Sequence, residues 1–186
     1  MVFGVKEIVR AAAHSLGIAD GVEQYLAGVQ TEIGQRDTEL LVECFNRVEN
    51  ELALDYLPLI KEEELVCPSG VVYYADLFHA AVRIIYVRDK KGADLKYKLF
   101  PDRLETQEGE LKIGYTYSPT KKSIDGVSDY TSGVSERLFI YGVAAEYALS
   151  VGELEAASVW DKKYKDILAG FYKISKGKRM DSRRWV

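Results

Sequence analysis

The chain has 186 residues, 47% of them apolar, a net charge of −4 and two cysteines. That is enough apolar material for one core, and a chain of this length needs no disulfide staple, so Cys44 and Cys67 are expected to be free thiols. No stretch approaches the roughly 18 apolar residues of a membrane span, and MVFGVKEIVR lacks the apolar run of a signal peptide.

Val5, Ile8, Val9, Ala12 and Leu16 recur at helical spacing, so a short helix is expected, closed by Gly17. A second helical piece falls between Ile18 and Gly28. A polar connection flanked by Gly28 and Gly34 follows. Leu41, Cys44, Phe45, Val48, Leu52, Tyr56 and Leu59 then keep a period of three to four. They predict a helix running from Asp37, as N-cap, to the break at Pro58.

The pattern then becomes β-like. Residues 64–67 and 71–74 are short runs split by the Pro68-Ser69-Gly70 turn. Residues 82–88 are β-branched and aromatic, and 95–99 and 111–117 alternate apolar with polar. A single antiparallel sheet of four or five strands is expected over 61–118. Glu62, Glu63 and Glu64 read as a solvated charge run ahead of its first strand. Residues 118–133 show no period and form a long loop, either mobile or held by a partner.

Residues 134–174 predict a helical hairpin broken at Gly152. The first helix, with Leu138, Phe139, Ile140, Tyr141, Val143, Tyr147 and Leu149, is apolar nearly all round and is expected to be buried on every side. The second carries one stripe: Ala157, Trp160, Tyr164, Ile167, Leu168, Phe171 and Ile174. The fold class is therefore α+β, mainly α: a helical bundle (1–60 and 134–174) with an inserted small antiparallel β-sheet (61–118), a flexible loop (119–133) and a basic terminal segment (175–186).

Charge is uneven. Residues 173–186 hold six Lys and Arg against Asp181, which leaves 19 of 25 basic and 28 of 29 acidic residues in a body near −9. Such a terminus suits an acidic surface, whether protein or nucleic acid; otherwise it is a solvated end. Motifs for chemistry are missing. His14 and His79 have no second ligand at a recognised metal spacing, SPTKKS lacks the glycines of a phosphate loop, and no GxSxG or CxxC occurs. Asp125 and Asp129 share a loop but are too few for a dedicated cation site. No cofactor or metal is expected. The thirteen tyrosines, several on the predicted strands (Tyr73, Tyr74, Tyr86, Tyr97, Tyr115, Tyr117), fit an interface or an ordinary aromatic sheet equally well. With Lys96, Lys98 and Lys112 they also suggest a base-stacking platform.

The order ERLFIYGVAAEYAL, a Gly-Glu-Leu turn, EAASVWDKKYKDIL and a basic end SRRWV resembles the head–tail connector (adaptor) proteins of the neck of tailed bacteriophages. IIYVRDKKGADLKYKLFPDRLE followed by ELKIGYTYSP is similar to members from phages of Gram-positive bacteria. The likeness spans residues 40–186. It implies a helical adaptor core and a homo-oligomeric ring of about twelve copies beneath the portal protein, built on a heterologous interface. It also implies contacts with other neck or tail proteins and a channel that passes DNA without specific binding or membrane contact. The place of such a protein is the virion neck, and the host bacterial cytoplasm during assembly. The resemblance makes Lys173–Val186 a portal-docking arm. Lys176, Lys178, Arg179, Arg183 and Arg184 would meet acidic groups and Trp185 would be the apolar anchor. No enzymatic role follows from it. A stopper or tail-completion protein, or a nucleic-acid-binding accessory protein using the basic terminus, are the alternatives. The minimal helical adaptors lack the sheet insertion.

Overall fold

A computed structural model describes residues 3–131 and 133–175. It is α+β and mainly α, with five helices and two three-stranded antiparallel sheets among the described residues. The chain divides into two compact units, one helical and one built on the sheets.

The helical unit contains α1 (Val5–Leu16), α2 (Ala19–Leu26), α3 (Glu32–Glu51) up to Val48, α4 (Glu136–Ser150) and α5 (Leu154–Ser175). Helix α1 buries the stripe Val5, Ile8, Val9, Ala12 and Ala13 and ends at Gly17, whose φ of 76° only glycine adopts freely. The first amide of α1, on Val5, donates to the Gly126 carbonyl at 3.0 Å. Helix α3 starts earlier than Asp37. Thr31 caps it, its hydroxyl accepting the Gly34 N–H at 3.2 Å. Gly34, expected in a connection, lies inside the helix because α2 passes so close that a Cβ there would strike the backbone of Gly21. Asp37 is a buried side chain within α3, paired with Arg36 at 2.9 Å. It also accepts the Tyr147 hydroxyl, and burial and this carboxylate push that phenol up to about 12.

Helices α3, α4 and α5 meet at small residues and rings. Phe45 and Phe139 stack with centroids 5.5 Å apart, and Phe3 sits 5.8 Å from Phe139. A Cβ on Gly142 would lie 2.8 Å from Val48 and 3.1 Å from Tyr164, so only glycine lets α4 fit between these neighbours. Leu138, Phe139, Val143, Ala144 and Ala148 are fully buried. The expectation that α4 is covered all round is corrected at Leu149, which is exposed near the C-terminal end of the helix. Gly152, at φ 86°, makes the break before α5. On α5, Trp160 packs on Tyr141, and the Lys163 ammonium lies 3.9 Å from the indole centroid.

The second unit, Glu49–Lys122 with Val127–Tyr130, opens with a π-helical turn, Leu52–Tyr56. Its strands are β1 (Leu59–Cys67), β2 (Val71–Tyr73), β3 (Ala81–Asp89), β4 (Lys98–Leu99), β5 (Arg103–Glu105) and β6 (Gly109–Tyr117). They pair in two sheets, β1-β6-β3 and β2-β5-β4, in place of the single sheet expected. Strand β1 begins five residues before Glu64. Only Lys98 and Leu99 of the 95–99 stretch join a ladder, and the alternation of β5 covers just three residues, too few to stand out in the sequence. The core is Cys67, Val72, Leu77, Ile84, Val87, Leu104, Leu111, Ile113 and Tyr115. On the other face of the longer sheet the Tyr86 ring covers Gly114, where a Cβ would enter the ring's van der Waals envelope.

Candidate interaction surfaces

Glu49 is the most unusual side chain of the sheet unit. It follows Val48 and precedes Leu52, so it lies on the apolar stripe of α3, and it is only 1% exposed. A buried carboxylate must be hydrogen-bonded. The Ser128 hydroxyl donates to it at 2.6 Å and the Asp129 N–H at 2.8 Å. Ser128 Oγ in turn accepts the Tyr130 N–H at 3.1 Å, and the Tyr130 hydroxyl donates to the Leu57 carbonyl at 2.7 Å. Lys122 joins Asp129 at 2.6 Å, and Ser118 bonds Asn50 at 2.6 Å. Burial raises the Glu49 carboxyl above the usual range, opposed by the Ser128 and Asp129 bonds. The stretch expected to be flexible, or held by a partner, is thus fastened by the chain's own Glu49. Asp129 is already neutralised by Lys122, which removes it from the cation site considered with Asp125. A general base must reach a substrate, and Glu49 is sealed from solvent, so the cluster works as a clasp.

Glu63 is a second clasp. Its carboxylate takes the hydroxyl of fully buried Tyr115 and the backbone N–H of Phe78 at 3.2 Å. The Tyr115 oxygen accepts the His79 N–H at 3.3 Å, and burial with Glu63 pushes this phenol up to about 12. The His79 ring stacks on Tyr117 at 4.1 Å. His79 therefore serves packing, while His14 is exposed in the last turn of α1. Among the described residues no group of three His, Cys, Asp or Glu can hold a metal, and no helix is long and apolar enough to cross a membrane.

Glu62, Glu64, Lys112, Gly114, Tyr86 and Arg88 share the outer face of the β1-β6-β3 sheet. Lys112 bridges Glu62 at 3.0 Å and Glu64 at 3.2 Å, Tyr86 donates to Glu62, and Arg88 lies over Tyr86 and pairs with Asp94 at 2.8 Å. Glu62 and Glu64 lie on a solvated face, as expected, and form the acidic side of a charge ladder there; the run lies within β1, not ahead of it, and Glu63 is half-buried. The Tyr86 bond and Lys112 hold the Glu62 carboxyl below its usual range, and Glu62 and Glu64 raise Lys112.

Of the six tyrosines considered for an interface, Tyr115 is core and Tyr74, Tyr97 and Tyr117 pack against it; only Tyr73 is exposed. Of the lysines considered with them, Lys112 is engaged with the two glutamates, whereas Lys96 and Lys98 line one groove with the half-buried Tyr97. The sheet unit instead exposes aliphatic and aromatic side chains: Ile60 and Val66 on β1, Val82 and Ile85 on β3, and Phe78, which is 78% exposed. The residues expected to dock a partner, Lys176, Lys178, Arg179, Arg183, Arg184 and Trp185, lie outside the described residues.

Neither clasp was found from the sequence. The available signal for Glu49 was its position, a carboxylate three and four residues from Leu52 and Phe45 on an apolar stripe. The sequence matches no protein-family model and no curated protein.

Proposed function

We propose that this chain is a structural virion protein, a head–tail adaptor that forms a ring beneath the portal, links capsid to tail and keeps a channel open for DNA. The observation that supports the reading is the C-terminal hairpin. The tightly packed α4, the Gly152 break and the long α5 occur in the order that the resemblance requires, and the strongly basic end with Trp185 follows them. The role is architectural, without a catalytic step: buried Glu49 and half-buried Glu63 fasten segments of the chain. The body near −9 suits a conduit, since carboxylates repel phosphate and DNA slides.

In this reading Lys176, Lys178, Arg179, Arg183, Arg184 and Trp185 contact the portal, with other neck proteins below and virion neck as the location. Cryo-electron microscopy of the neck in virions of the phage that encodes the chain tests it. A ring of copies beneath the portal, with the segment from Lys173 between portal subunits, is the expected result. A ring without that insertion removes the arm, and particles without the chain remove the proposal. A nucleic-acid-binding role is favoured by one observation, the six basic residues of 173–186. It predicts DNA affinity that falls steeply with salt and is lost on truncation at Lys173.

A further inference from the structure

The β1-β6-β3 sheet ends in two long strands of opposite charge. Strand β1 carries Glu62, Glu63 and Glu64 against Lys61, and no strand other than β6 pairs with it among the described residues. It exposes Ile60 at 63% and Val66 at 76%. Strand β3 carries Arg83 and Arg88 against Asp89. The far end of β3 is covered, for the Leu95 N–H donates to the Val87 carbonyl at 2.8 Å and Asp94 bridges Arg88. Its first half, Ala81–Tyr86, has no such cover. There Val82 and Ile85 are exposed at the two bulges, and the Arg83 guanidinium is exposed and makes no ion pair among the described residues. Beside this half lies an open groove whose apolar walls include Val82, Leu99 and Phe100.

An open strand edge with apolar side chains is a template for another strand. The charge pattern selects which. Two β1 edges repel through their glutamates, two β3 edges repel through their arginines, and β1 against β3 attracts. We infer that strand β1 of one copy docks antiparallel on the open first half of β3, Ala81–Tyr86, of a second copy, with the exposed Glu64 facing Arg83 and Val66 entering the groove beside Val82. This interface is heterologous, because each copy offers one edge and accepts the other, so it propagates into a ring or filament. The inference deepens the adaptor reading by naming the surface through which copies meet, and rests on it for the ring, though the contact itself needs no virion.

Mixing two full-length single-cysteine variants, Val66→Cys and Val82→Cys, under mild oxidation tests it, since that pairing brings the two positions within disulfide reach. Cys44 and Cys67 are buried, and burial pushes the Cys44 thiol up to about 11, which leaves the introduced thiols to react. The expected result is a covalent dimer at least about tenfold more abundant in the mixture than in either variant alone, falling as salt screens the charges. Adding Glu64→Lys to the Val66→Cys chain removes that dimer, and adding Arg83→Glu to the Val82→Cys chain as well restores it. Coincident thermal melts show that the variants are folded. No mixed dimer at high protein concentration, or equal dimer from either variant alone, overturns the inference. The virion image is read separately. A neck ring with no mixed dimer discards the edge pairing and keeps the adaptor, whereas a mixed dimer with no neck ring does the reverse.

Discussion

The helical unit and the sheet unit solve the same problem with different materials. In the helical unit, segments distant in sequence are joined by apolar surface brought close at small residues: Gly142 against Val48 and Tyr164, Gly34 against Gly21, Phe139 against Phe45 and Phe3. In the sheet unit, two irregular segments are joined to regular elements by buried or half-buried carboxylates, Glu49 for Ser128–Tyr130 and Glu63 for Phe78 and His79. Apolar packing is indifferent to pH and its strength follows the area buried. A carboxylate clasp is local and directional, and it fails when one atom is removed. Damage to the first should melt a unit, and damage to the second should release a segment.

The largest expected effect is on packing. Phe139→Ala removes the ring between Phe3 and Phe45 and should cost about 3–5 kcal/mol, read as a lower denaturant midpoint by far-UV circular dichroism. Gly142→Leu fails from the opposite direction. The helix preference it gains is about 1 kcal/mol, smaller than the roughly 1–3 kcal/mol or more of overpacking against Val48. If either variant melts like the parent, small residues and rings do not hold the helical unit.

Next comes the Glu49 clasp. Glu49→Ala leaves the Ser128 hydroxyl and the Asp129 N–H unpaired in a buried place and should cost about 3 kcal/mol. Limited proteolysis should then cut within 118–131 while the strands stay resistant; unchanged cleavage would show that the clasp does not hold the segment. Glu49→Gln keeps an acceptor and costs less. It also isolates the pH response. Burial raises the folded Glu49 pKa above its unfolded value, so the folded state binds the proton more tightly. The contribution is fully present below the ordinary glutamate range and is lost as pH rises through the raised folded value. The stability of the parent minus that of Glu49→Gln should therefore fall from acid toward neutral pH, and a flat difference would contradict the raised carboxyl.

The helices were legible because their stripes are long and periodic: Val5, Ile8, Val9 and Ala12 define α1, and Gly17 and Gly152 mark ends that require positive φ. Where helix propensity and tertiary fit conflict, the sequence misleads. Gly34 reads as a breaker, yet it is the contact residue that lets α2 approach α3, and that displaced the expected cap from Thr31 to Asp37. Strands β4 and β5 are too short to show a period, so one sheet was expected where two exist. The clasps were illegible for a different reason. Glu49 and Ser128 are 79 positions apart, and nothing local to either announces the other.

The smallest expected effect separates the clasps from ordinary surface charge. Tyr115→Phe deletes the hydroxyl shared by Glu63 and the His79 amide but keeps the ring in the sheet core. It should cost about 1–2 kcal/mol, because the half-buried carboxylate loses one donor and still holds the Phe78 N–H. Lys165→Ala breaks the i,i+4 pair with Asp161 on the exposed side of α5, where a change within about 0.5 kcal/mol is expected. Hydrogen exchange decides whether the two differ in kind. Tyr115→Phe should speed exchange at the His79 amide, which loses its acceptor, while Lys165→Ala should alter no amide outside its own helix. Equal exchange at His79 in both variants would mean that the Tyr115 hydroxyl positions nothing, and the Glu63 clasp would then rest on the Phe78 bond alone.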